Sequence, residues 1–323
     1  MASPSDDAPT LAIDPATAPE PDADAKPDGF VVLIEPADRI HFLDWGGPTD
    51  GATPGAVLVH GLATSADVWA PVARRCRARV RTVAMDLRGH GLSDSPTDGY
   101  EPGSLAEDAV AVADASGFLR GGPGVVIAGH GFGACVAAWT AAALGHECRG
   151  LVLVDGGWED LAATTGLEPD EFLRGVDEPP EVMRSMDAYL GDRAAFDPST
   201  WDADQEAAAR ATVVETPAGR LVPVTRPHVL EACVRTMFEY RPLEVLGGVE
   251  APIVILAAAE DEAGHRRDAL DDLLDGLRRA GRGLPRVIGF PTLGHNLMRY
   301  RPAHVAAAIL ALAATAELAE GPA

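Results

Sequence analysis

Six short apolar runs, spaced along the chain with helical patterns between them, constrain this sequence of 323 residues more than any other feature. They are Ala56 to His60, Val80 to Asp86, Val125 to Ala128, Leu151 to Val154, Pro252 to Leu256 and Arg286 to Phe290. Runs that do not alternate apolar with polar residues bury both of their faces. Alternation of such strands with helices points to a parallel sheet covered on both sides. The helical spacings fall at Ala66 to Arg77, Ser104 to Leu119, Ala134 to Leu144, His265 to Ala280 and Pro302 to Leu318. Ser104 and Glu107 have the spacing of a capping box. Upstream, Val31 to Glu35 and Arg39 to Trp45 flank a Pro-Ala-Asp turn and predict an antiparallel hairpin.

The rhythm breaks at Trp158 and resumes near Pro252; the stretch between is helical in pattern and interrupted by prolines. It predicts an inserted helical cap over residues 158–248, with 29–157 and 249–323 forming the core. Residues 1–28 carry Pro, Ala, Asp and Ser and little that is large and apolar, so a disordered tail is expected there.

Composition narrows the function classes. A net charge of −23 disfavours nucleic acid and anionic membrane surfaces as partners. No apolar stretch reaches the length of a membrane span, and the N-terminus lacks the pattern of a secretory signal. Cys76, Cys135, Cys148 and Cys233 show neither Cys-x-x-Cys pairing nor metal spacing. Buried reduced thiols in a cytoplasmic protein are expected, with no metal and no organic cofactor. The partner is a small-molecule substrate or ligand, and oligomeric state is left open.

Motifs cluster at the ends of the expected strands: His60-Gly61, Asp86-Leu87-Arg88-Gly89-His90-Gly91, Gly129-His130-Gly131-Phe132-Gly133 and Gly294-His295-Asn296. In an open parallel sheet, ligands bind beyond the carboxyl ends of the strands. The third motif has the form of a nucleophile elbow, G-x-S-x-G, with Gly131 where the serine belongs.

In order and context these motifs resemble the α/β-hydrolase family with a helical cap, over residues 30 to 318. The resemblance implies a mostly parallel twisted sheet with helices on both faces. It implies His295 as general base and Gly131 at the nucleophile position, without a side chain. The acid would be Asp261, with Asp155 and Glu260 as alternatives; a helix cap is the competing role for Asp261. The oxyanion and substrate-binding set would be Leu62 and Phe132 through their amides, with His60, Gly61, His130 and Trp158 nearby. Asp86, Arg88 and His90 belong to a loop that is structural in this family. Cys135 is expected to point into helix packing, and Ser65 lacks a base.

Glycine removes the Oγ and with it any acyl-enzyme, but leaves the backbone donors in place. One reading is acid–base chemistry by His295 on a carbonyl compound: water-direct hydrolysis, C–C cleavage, epimerisation, cyclisation or elimination. The others are a ligand-binding pseudohydrolase and an esterase-like hydrolase inactivated by substitution.

Overall fold

The computed structural model describes residues 11–34, 37–176, 185–258 and 264–319. Eight strands form one sheet: β1 (Asp28–Ile34), β2 (Asp38–Asp44), β3 (Gly55–Val59), β4 (Thr82–Met85), β5 (Val125–His130), β6 (Cys148–Val154), and, beyond a small hairpin of β7 (Val213–Glu215) and β8 (Leu221–Pro223), β9 (Ile253–Ala257) and β10 (Arg286–Gly289). Their order is β1-β2-β4-β3-β5-β6-β9-β10. β1 pairs antiparallel with β2, and β2 antiparallel with β4; every other pairing in this sheet is parallel.

The central strands are apolar on both faces because both faces are covered. Every residue of β3, β5 and β9 is buried. One face packs on α2 (Pro102–Ala115) and α3 (Phe132–Leu144) through Val57, Ile127 and Leu153. The other packs on α1 (Ala70–Cys76) and α12 (Pro302–Ala319) through Leu58, Val126 and Val152. No helix among the described residues is long and apolar enough to cross a membrane. The four cysteines are free and buried.

Between β6 and β9 the chain runs through α4 (Leu161–Thr165), α5 (Pro169–Val176), α6 (Met186–Phe196), α7 (Ala203–Ala211), α8 (Pro227–Glu239) and α9 (Pro242–Gly247). Polar contacts tie this insertion down. The Tyr240 hydroxyl donates to the Gly157 carbonyl at 2.8 Å, and that of Thr236 to Tyr100 at 2.7 Å. Within the insertion, Phe172 of α5 meets Phe238 of α8 edge-on at 5.6 Å. After β9 come α10 (His265–Arg279), and after β10 the short α11 (Leu297–Tyr300).

Two sequence expectations are corrected. Residues 11–27 of the expected tail are held down: Leu11, Ile13 and Ala18 pack against the core under α12. Arg74 and Arg75 donate to the carbonyls of Ala25 and Pro19, which supplies polar anchors that the composition of this segment does not advertise. The capping box is also absent. α2 starts two residues before Ser104, at Pro102, whose fixed φ suits a first helical position, and the Ser104 hydroxyl bonds Glu101 instead.

Candidate active site

From β3 the chain steps to β4 on one side and then to β5 on the other, which opens a crevice at the carboxyl ends of β3 and β5. The loop after β3 brings Gly61 and Leu62 there, and the turn after β5 brings His130, Gly131 and Phe132. They line a cavity of about 360 Å³ with Asp155, His295 and Asn296.

The elbow is formed. Gly131 has φ 55 and ψ −119 as the residue capping α3. This is a region that side chains occupy only under strain and that glycine accepts freely. Close approach demands a second glycine, since a Cβ on Gly156 would stand 2.6 Å from the Gly131 carbonyl oxygen. Phe132 is the first residue of α3, so its amide has no partner within the helix.

His295 hangs over this turn from the loop after β10. Its Nδ1 donates to Asp155 Oδ2, and its Nε2 lies 3.1 Å from where a Cβ of residue 131 would be. Asp155 follows β6 with φ 47, a left-handed conformation that aspartate tolerates better than most residues. Its Oδ1 accepts from the Ala258 amide at 2.9 Å and from Arg266 Nη2 at 3.0 Å. Burial pushes the Asp155 carboxyl upward, but the His295 bond, the Arg266 charge and the Ala258 amide outweigh it and hold it below the usual range. Arg266 also donates through Nε to Glu159 Oε1 at 2.7 Å and lies 5.0 Å over the Trp158 ring.

Three buried histidines build the frame. His130 donates from Nε2 to the His295 carbonyl at 3.0 Å, and the two rings lie 4.3 Å apart. Burial, with His295 beside it, pushes His130 down to about 3, so it is a neutral anchor. His60 accepts from the Leu87 amide at Nε2, so its Nδ1 carries the proton and donates to the Gly61 carbonyl at 2.8 Å. His90 accepts from the Ala63 amide at 3.2 Å and donates from Nδ1 to the Arg88 carbonyl at 3.0 Å. Both fix the loop that carries Leu62, where Ala63 sits at φ 56. Asp86 holds the amides of Ala66 and Leu92, and Arg88 forks onto Asp108, so this loop is structural.

The structure therefore gathers Gly61, Leu62, His130, Gly131, Phe132, Asp155 and His295, and leaves two expected residues outside. His60 is fully buried behind the loop, and both of its nitrogens are spent on backbone. Trp158 is buried and faces a neighbouring cleft between α4 and α10, since Arg266 stacks on it from the site side. Asp261 and Glu260 lie outside the described residues. Ser65 is buried and bonds Asp67. Cys135 does reach the cavity wall, yet burial pushes its thiol well up and leaves no thiolate.

Sequence reasoning missed Glu159, Arg266, Phe172 and Met237 on the cavity wall. The only signal for Glu159 was its place four residues after a strand-end aspartate, and Arg266 comes from α10 with no motif around it.

The profile of the alpha/beta hydrolase family matches residues 56–309. The chain belongs to the α/β-hydrolase family. It is 34% identical over 144 residues to 2-(acetamidomethylene)succinate hydrolase of Mesorhizobium japonicum, covering 44% of this chain and 50% of that one. It is 32% identical over 148 residues to the pimeloyl-[acyl-carrier protein] methyl ester esterase of Xanthomonas oryzae pv. oryzae, covering 46% and 49%. The matched region thus spans about half the length of these relatives. Among solved structures, E-2-(acetamidomethylene)succinate hydrolase superposes with a TM-score of 0.67 at 19% identity, over 91% of this chain and 100% of the other. The thioesterase domain from the curacin biosynthetic pathway gives 0.66 at 19%, over 88% and 99%. Both likenesses are in fold.

Proposed function

We propose that this α/β-hydrolase performs acid–base chemistry through His295 on a small carbonyl compound, without an acyl-enzyme. The observation that carries the reading is the line from Asp155 through His295 to the bare elbow at Gly131. A base–acid pair is aimed at a nucleophile position that holds no nucleophile.

In the hydrolytic form, His295 Nε2 accepts a proton from a water as the water oxygen bonds to the carbonyl carbon. Nδ1–H donates to Asp155 throughout, which fixes the tautomer and stabilises the imidazolium. The amides of Phe132 and Leu62 receive the oxyanion. The carbonyl then re-forms, the bond to the leaving group breaks, and His295 returns its proton to that group. The helices of the insertion bring Leu161, Phe172 and Met237 to the cavity wall. The hydrolase and esterase names of the relatives support a hydrolytic reaction.

The test is turnover of short-chain activated esters and amides by the native chain and by His295→Gln. Native turnover should fall by roughly 10²–10⁴ in the variant, the usual contribution of a general base. Equal rates contradict the reading, and a native chain with no turnover makes it a ligand-binding pseudohydrolase.

A further inference from the structure

We infer that the cavity selects uncharged carbonyl compounds and rejects carboxylates, with Glu159 as the specificity-determining residue. This rests on the proposed carbonyl chemistry but concerns what binds rather than what turns over.

The charged groups on the described wall are Asp155, Glu159, Arg266 and the ring of His295. Arg266 is the sole arginine among the described lining residues, and it holds both carboxylates, Asp155 at 3.0 Å and Glu159 at 2.7 Å. The described part of the wall sets two carboxylates, Asp155 and Glu159, against one guanidinium. His130 adds no charge, because burial keeps it neutral. An incoming carboxylate would have to compete with Glu159 for Arg266 or sit beside two like charges in a partly enclosed space, where screening is weak. The chain's −23 charge opposes its approach from outside as well. A neutral ester, amide or ketone meets none of this. Leu161, Phe172 and Met237 offer its apolar part a wall, and Glu159 can still accept from a substrate N–H or O–H. The device is repulsion of the wrong ligand as much as attraction of the right one.

The probes are butyramide and butyrate, alike in shape and different in charge. Their binding to the full chain would be read by ligand-observed magnetic resonance, with competition between the two. Butyramide should bind at least about tenfold more tightly, a difference of ~1.4 kcal/mol. In Glu159→Gln the gap should shrink to about threefold or less, because one like charge is gone and Arg266 is partly released. Butyrate binding as tightly as butyramide to the native chain, or neither probe binding, overturns the inference. So does a folded Glu159→Gln with an unchanged ratio. If that variant does not fold, the native ratio alone decides. A chain that prefers butyramide yet turns nothing over would sink the proposed function while leaving this selectivity standing.

Discussion

Asp155 and His295, 140 positions apart in sequence, form a direct carboxylate–imidazole pair whose free nitrogen faces the elbow. The Nε2 atom stands 3.1 Å from the point where a Cβ on Gly131 would lie. This relationship has consequences for activity, stability and substrate choice.

Asp155→Asn removes the charge that stabilises an imidazolium and weakens the contact of Oδ1 with Arg266. Activity should drop by about 10²–10⁴, the range expected when a general base loses its orienting partner. Stability should change in two opposed ways: loss of an ion pair, and relief of a buried carboxylate. Rate assays at fixed folded fraction separate the first effect from the second.

The buried histidines set an acid limit. Burial pushes His90 and His130 down to about 3 and also lowers His60. Their folded values lie below the unfolded value of about 6.5. The unfolded chain therefore binds protons first, and stability falls as pH drops from about 6.5 toward the folded values. Asp155, also depressed when folded, adds to the loss once pH falls below the ordinary carboxylate range of about 4. Urea midpoints should change little between pH 8 and 7 and then fall progressively at pH 6, 5 and 4. A flat profile from pH 8 to 5 would show that these histidines are not buried neutral.

The elbow should tolerate no Cβ at its flanks. At Gly133 a Cβ would lie 2.2 Å from the His60 carbonyl oxygen, within the strand-to-helix contact. Gly133→Ala should cost more than about 3 kcal/mol or prevent folding, since backbone must move. Gly145→Ala at φ 54, with nothing near its Cβ, should cost only the backbone strain of about 1–3 kcal/mol. Comparing the two thermal midpoints checks whether crowding, rather than φ alone, fixes the glycine.

The sheet was legible because unbroken apolar runs such as Ala56 to His60 have few other uses. The elbow was legible because Gly129, Gly131 and Gly133 keep its spacing, and His295 drew notice through its Gly-His-Asn motif. The partner of His295 was harder: the resemblance favoured Asp261, which lies outside the described residues, over Asp155. What distinguishes Asp155 is that β6 lies between β5 and β9, so its carboxylate can meet His295 and the Ala258 amide together. Arg266 could not be read, because Asp155 and Glu159 lie more than 100 residues upstream of it. His60 looked like a site residue; its nitrogens are consumed in holding a backbone amide and a carbonyl, a use that leaves no trace in spacing.

The most direct measurement is intact-mass analysis of the native chain and Gly131→Ser, each mixed with p-nitrophenyl acetate, alongside their release of nitrophenol. The serine variant restores Oγ beside His295 at a strain of roughly 1–3 kcal/mol. The account predicts an acetyl adduct in the serine variant alone. It also predicts slower adduct-free turnover in the native chain, abolished with His295→Ala. An acyl adduct on the native chain, or native turnover that survives loss of His295, would contradict it.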